Sequence, residues 1–116
     1  MTRAPILAQP SICLLLTTCP DADSAQRLAH SLVNARLAAC ASCLPGVVSV
    51  YRWQGQVQQD SEVQLIIKTG AERRDAAMAH IHAHHPYEVP EILALPVSEG
   101  LPAYLAWVAA QTTEDC

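Results

Sequence analysis

No apolar run in this chain approaches the roughly 20 residues that a membrane-spanning helix requires, so a helical membrane protein is excluded and a soluble one is expected. Nor does a secretory leader stand out. Ile12-Cys13-Leu14-Leu15-Leu16 follows Arg3, but Pro10 precedes it and Thr17-Thr18-Cys19-Pro20-Asp21 ends it, short of the roughly 7–15 apolar residues and small-residue cleavage site that a leader needs. Charge is scarce as well: charged residues make up 16%, with 7 Lys and Arg against 11 Asp and Glu, a net charge of −4 and a pI near 5.6. With no basic stripe to neutralise phosphates, nucleic acid is excluded as a partner. Cysteine is present in an odd number, 5. Without a secretory leader, that count argues for reduced thiols in the cytoplasm and against a disulfide framework.

What is there reads as one small globular domain. The chain has 116 residues, 51% of them hydrophobic, in short runs separated by Pro, Gly and polar turns. Residues 1–10 read as a loose arm, 11–112 as the domain and 113–116 as a polar tail. Residues 11–18 form an apolar, partly β-branched run suited to a buried strand. Pro20-Asp21-Ala22-Asp23-Ser24 suits the first turn of a helix, after which Ala22, Ala25, Leu28, Ala29, Leu32, Val33 and Arg36 recur at helical spacing. A strand follows over 39–52, with a bulge or bend expected at Pro45-Gly46, and Trp53-Gln54-Gly55-Gln56 turns the chain into a hairpin partner. In that partner Val57, Val63, Leu65 and Ile67 alternate with Glu62, Gln64, Ile66 and Lys68, giving one apolar and one mixed face.

A second helix is expected from Thr69 to about His84, with Ala76, Ala77, His80, Ile81 and His84 on one face and His85-Pro86 as its stop. Residues 89–97 read as an edge strand bracketed by Pro90 and Pro96. A short terminal helix carries Tyr104, Leu105, Trp107 and Val108. The order β-α-β-β-α-β plus a C-terminal helix predicts an α+β, ferredoxin-like sandwich, its antiparallel sheet covered by helices on one face. The opposite face, with Glu62, Gln64, Ile66 and Lys68, is left open, and an open sheet with unprotected edges calls for a partner chain.

Four blocks stand out in order: Leu37-Ala38-Ala39-Cys40; Pro45-Gly46-Val47-Val48-Ser49-Val50-Tyr51-Arg52-Trp53-Gln54-Gly55; Glu62-Val63-Gln64-Leu65-Ile66-Ile67-Lys68-Thr69; and His84-His85-Pro86-Tyr87-Glu88-Val89-Pro90-Glu91-Ile92. With Leu95-Pro96-Val97 and Tyr104-Leu105-Ala106-Trp107, they resemble the signature blocks of the CutA divalent-cation-tolerance proteins over about residues 12–108. The resemblance implies a ferredoxin-like protomer in a homotrimer, similar in shape to the nitrogen-regulatory PII signal proteins. It also implies an association with copper and other divalent metal ions, and no established reaction.

Several side chains are candidates for that chemistry. His80 and His84 lie one helical turn apart, where two imidazoles can share an ion such as copper, zinc or nickel; the alternative is a solvated helix end that tolerates imidazolium. Cys40 matches a family cysteine considered for copper binding; the reading favoured over it is a small buried hydrophobe. The resemblance places other family thiols at Thr17 and His80, with Cys19 near the first, a departure that makes a mixed Cys/His site the alternative to a three-thiolate one. Cys40-Ala41-Ser42-Cys43 is read as neither redox nor zinc motif, since it leaves a helix for a strand and lacks a second pair. Trp53, Glu62, Lys68, His85, Tyr87, Glu88 and Glu91 are grouped by the resemblance near inter-subunit clefts. There they form either a ligand site or a structural network in which Lys68 pairs with Glu62 or Glu91.

The functional expectation is a homotrimeric protein of divalent-cation tolerance that binds metal ions, with no organic cofactor and no catalytic motif. The alternative is a PII-like signalling module that takes a small ligand in its clefts and acts on a protein partner. An acylphosphatase-like enzyme shares the protomer topology, but Thr17-Thr18-Cys19-Pro20 offers no arginine-bearing phosphate loop.

Overall fold

Pro20 and Asp21 decide where the first strand stops and the first helix starts. In a computed structural model, which describes residues 9–113, strand β1 runs Ile12–Cys19 and helix α1 runs Ala22–Asn34. Asp21 is the N-cap: its Oδ1 accepts from the Ser24 N–H at 2.8 Å, satisfying one of the helix's orphan donors. The arm expected before residue 9 and the tail expected after 113 lie outside the described residues, as does Cys116.

Strands β2, Cys40–Trp53, and β3, Gln56–Gly70, form the expected hairpin. Its two-residue turn places Gln54 at φ 51° and Gly55 at φ 79°, the left-handed pair of a turn whose twist matches the strands it joins. A single 3-10 turn, Ala71–Arg73, leads into α2, Arg74–His84; β4, Leu93–Pro96, and α3, Pro102–Gln111, complete the chain. The sheet order is β2-β3-β1-β4 with every neighbour antiparallel, the ferredoxin-like arrangement expected. The last strand is shorter than the run 89–97 implied, because residues 85–92 form a loop and β4 pairs only with Cys13–Leu16 of β1. Pro90 has no N–H to donate to a ladder there.

The helices cover one face. Leu15, Leu65 and Ile67 from the sheet and Ala25, Leu28, Leu32, Ala77 and Ile81 from α1 and α2 make the main core, most of them fully buried. Each large side chain there contributes roughly 1.5–3 kcal/mol. Five residues expected on the helical stripes are exposed, Ala22, Val33, Arg36, Ala76 and His84, most of them at or near the helix ends, so the sheet meets mainly the middle of each stripe. On the opposite face α3 covers one end, where Leu105 and Val108 pack on Ile12, and the buried Thr112 hydroxyl accepts from the Gly70 N–H at 3.2 Å.

Strand lengths set the remaining feature. β1 pairs with β3 only from Val63 to Gly70, so the outer parts of β2 and β3 continue as a two-stranded arm. The register slips between Leu44 and Val47, where β2 carries one residue more than β3 opposite Glu62 and Gln64. Gly46, at φ 80°, supplies the left-handed conformation at this bulge.

Candidate functional site

The bulge determines which side chains reach the site. Before it, Cys40, Ser42 and Leu44 stand opposite Lys68, Ile66 and Gln64 on the open face; after it, Val47 stands opposite Glu62, so the odd-numbered residues of β2 take over that face. Ser49, Tyr51 and Trp53 therefore lie on the side of Glu62, where an unbroken strand would have turned them away. The loop after α2 approaches from the other side. Together they enclose a cleft of about 730 Å³ lined by Thr18, Tyr51, Trp53, Glu62, Tyr87 and Glu91 among others.

His85 anchors the loop. Its Nδ1 accepts from the Tyr87 N–H at 3.0 Å, which leaves Nε2 as the protonated nitrogen, donating to the Thr18 carbonyl at 2.7 Å and lying 3.8 Å from Cys19 Sγ. A neutral imidazole thus ties the loop to the end of β1. Tyr87 in turn donates its phenol to Glu62 Oε2 at 3.0 Å. Partial burial pushes the Tyr87 phenol up to about 12, and the adjacent Glu62 carboxylate acts in the same direction. Tyr51 donates to Asp60, and this bond foremost raises its phenol as well. Both phenols stay protonated donors at neutral pH.

Of the seven cleft candidates from the sequence, the structure gathers Trp53, Glu62, Tyr87, Glu88 and Glu91 on the lining, with His85 behind them. Lys68 stands elsewhere. Within one chain its ammonium donates to Ser42 Oγ at 2.7 Å and contacts Cys40 Sγ at 3.6 Å; the pairing with Glu62 or Glu91 is one expected between subunits. Six residues along one strand separate Lys68 from Glu62, about 20 Å of chain. Thr18, Ser49, Val50 and Tyr51 were not singled out from the sequence as site residues, and the signal for Ser49 and Tyr51 was the Pro45-Gly46 bulge, which reverses the alternation.

The metal candidates do not meet within one chain. Cys40 sits on the open face beside Lys68, whereas His80, on α2, shares a 2.6 Å hydrogen bond between its Nε2 and Ser31 Oγ of α1 on the other side of the sheet. His84 Nδ1 lies 2.8 Å from its own helix's His80 carbonyl, and the two rings stack at 4.1 Å. Burial, with His84 adding to it, lowers the His80 pKa and favours the neutral ring. Among the described residues no three His, Cys, Asp or Glu side chains come together to hold an ion. Thr17, at a position matched to a family thiol, is fully buried under the helices, and its hydroxyl has no hydrogen-bond partner among the described residues.

The remaining thiols fit this division. Cys13, Cys19, Cys40 and Cys43 are all free, and burial raises the pKa of Cys13, Cys43 and, to about 11, Cys19. Cys43 packs against the helix-side core while Cys40 faces the open side, so this C-x-x-C on a strand points its two thiols to opposite faces.

Comparison with known proteins agrees with this architecture. The family model described as CutA1 divalent ion tolerance protein matches residues 13–111. The divalent-cation tolerance protein CutA of Pectobacterium atrosepticum is 48% identical over 97 residues, 84% of this chain and 88% of that one. Among solved structures, CutA from Xylella fastidiosa superposes with a TM-score of 0.86 at 47% identity, covering 88% of this chain and 98% of that one. CutA1 from Oryza sativa gives 0.88 at 41% identity, covering 92% and 98%. With a family model matched over residues 13–111 and relatives at 41–48% identity over most of its length, the chain belongs to the CutA divalent ion tolerance family.

Proposed function

We propose that this chain serves divalent-cation tolerance in the cytoplasm as a homotrimer, meeting copper or other divalent ions at positions completed by more than one copy. The observation that carries the reading is the uncovered sheet face. Leu14, Leu16 and Ile66 are only half-buried there, and Leu44, Leu93 and Leu95 are exposed. On the other face of the hairpin arm Val48, Val50 and Val57 are also more than half exposed. A monomer rarely leaves so much contiguous apolar surface in water, and closed association of identical chains removes it.

The metal part is supported by the family and by the types of donor present, Cys40, His80 and His84. Because one chain does not bring those three together, tight binding calls for donors from neighbouring copies. Titration calorimetry of the reduced protein with Cu(I), Cu(II) and Zn(II), with light scattering on the same samples, tests both parts. Saturable uptake at a fixed ratio per trimer, lost in Cys40→Ser or His80→Ala, is the expected result. Weak uptake without fixed stoichiometry by an unchanged trimer sinks the metal part.

The 730 Å³ cleft favours a second reading, in which the assembly works like a PII-type module that binds a small ligand there and passes its state to a protein partner. Catalysis is not proposed. An acylphosphatase-like reaction would bring a phosphate to the turn after β1, where the Asp21 carboxylate already caps α1 and Asp23 follows in its first turn. Turnover of acyl phosphates by the purified protein would reverse that judgement.

A further inference from the structure

The helical layer lies on the side of the sheet away from the face assigned above to association, and it carries donors of its own. His80 and His84 sit one turn apart on α2, and Ser31 of α1 reaches His80 from the neighbouring helix. All three belong to one chain, so their mutual geometry does not depend on what other copies bring. The two rings stack with centroids 4.1 Å apart and planes inclined by 25°.

Hydrogen bonds decide which ring nitrogens are bare. His84 Nδ1 lies 2.8 Å from the His80 carbonyl, which can only accept, so Nδ1 carries the proton and Nε2 presents a lone pair. His80 Nε2 lies 2.6 Å from Ser31 Oγ. That hydroxyl can accept from it, and in this tautomer His80 Nδ1 is bare as well. Each ring then has one nitrogen held by a neighbouring oxygen and one open to a ligand, the arrangement that orients imidazoles on a metal ion. His85, close by in sequence, differs: the Tyr87 N–H and the Thr18 carbonyl occupy both of its nitrogens.

The number of donors selects the ion. Among the described residues no three His, Cys, Asp or Glu side chains gather, so this pair offers two protein ligands and water fills the other positions. Zinc sites in proteins use three or four protein ligands. Copper(II) and nickel(II) accept imidazole and water together in tetragonal geometry, and copper(II) heads the affinity order for such donors. Two nitrogens bound at a right angle, each about 2.0–2.1 Å from one ion, stand about 3 Å apart. Rings stacked this closely reach that separation by a small turn of His84, which is exposed. We propose that His80 and His84 of each chain chelate one copper(II) or nickel(II) ion on the helical face, with no donor from Cys40 or from a second copy. The proposal rests on the metal reading above and sorts its donors: the divalent ions go to the imidazole pair, and copper(I) is left to the thiol on the open face.

The test titrates the full-length reduced protein with Ni(II), which thiols do not reduce, by calorimetry in the parent and in Cys40→Ser, His82→Ala and His84→Ala. One ion per chain is expected, with affinity kept in Cys40→Ser and His82→Ala and at least tenfold weaker in His84→Ala. Truncating an exposed side chain leaves the fold intact, which circular dichroism checks. Cu(II) added to Cys40→Ser gives a paramagnetic resonance spectrum coupled to two nitrogens, reduced to one when His84→Ala is added. Loss of nickel in Cys40→Ser as well as in His84→Ala overturns the proposal, returns the donors to a single shared site and leaves the metal reading standing. Full affinity in His84→Ala, or an equal loss in His82→Ala, overturns the pairing. No saturable uptake of Ni(II) or Cu(II) by the parent overturns the proposal, and the metal reading falls with it when Cu(I) is refused too.

Discussion

Adjacent residues of β3 meet opposite environments: Leu65 and Ile67 are fully buried beneath α1 and α2, while Ile66 and Lys68 beside them remain half open. The two faces of the sheet come from the same strands, so the contrast isolates what each face is for. On the helix side the residues are chosen for volume, and burial alone completes the fold. The open side mixes leucine and isoleucine with Cys40, Ser42, Gln64 and Lys68, a composition too apolar for solvent and too polar for a core. That mixture fits the association proposed above, as interfaces combine an apolar centre with polar surroundings.

The contrast is broken most severely on the helix side. Leu65→Ala leaves a cavity between the sheet and both helices and should lower stability by about 2–5 kcal/mol, read as a fall in the urea midpoint. Ile66→Lys, one residue away, should do something different in kind. The lone protomer tolerates a lysine on a half-open face, so far-ultraviolet circular dichroism and the core remain, but assembly is lost and light scattering reports a single chain. A monomeric, fully folded Ile66→Lys with an unfolded or strongly destabilised Leu65→Ala confirms the division. An Ile66→Lys variant that stays assembled would place the interface elsewhere.

Much of this division was legible in the sequence, and the residues that were not share a cause. Period-two alternation in Val63, Gln64, Leu65, Ile66 and Ile67 gives the two faces directly, and Asp21 with Ser24 marks the start of α1. Gln54-Gly55 marks the hairpin turn by its need for positive φ. The cleft was only half legible. Trp53, Glu62, Tyr87 and Glu91 came from resemblance, but Tyr51 joins them because one extra residue at Pro45-Gly46 reverses the facing of all that follows, and alternation counted from Cys40 misses it. Within one chain Lys68 shares a face with Glu62 but lies six residues of extended strand away, so a cleft holding both is one expected between subunits. Of the metal candidates, helical spacing brings His84 close to His80 within one chain, and nothing local ties either to Cys40 across the sheet.

A milder test sharpens the helix side. If that face is selected for apolar volume, its unpaired polar atoms are a cost. Thr17 Oγ1 is buried with no partner among the described residues, and valine matches threonine in shape. Thr17→Val should therefore raise stability by about 1 kcal/mol, measured by urea unfolding. A loss of similar size would mean that the hydroxyl has a partner such as an ordered water, and that the face is less purely apolar than its other residues indicate.

The smallest effect tests the one place where the open side buries a charge. Tyr87 donates to Glu62, and its phenol is raised from 10.0 to about 12. A pKa raised on folding means that the folded protein holds this proton more tightly than the unfolded chain does, so the stabilisation is fully present below pH 10 and is lost as pH rises through about 12. Tyr87→Phe removes the bond and the titration together. The variant should be less stable than the parent by about 1 kcal/mol at neutral pH. The difference should shrink across the window from pH 10 to about 12, where phenolate absorbance shows one late-titrating tyrosine fewer in the variant than in the parent, Tyr51 staying raised in both. If the difference persists unchanged through that window, Tyr87 contributes through the packing of its ring on the loop. The buried Glu62 charge is then held by something other than the phenol proton.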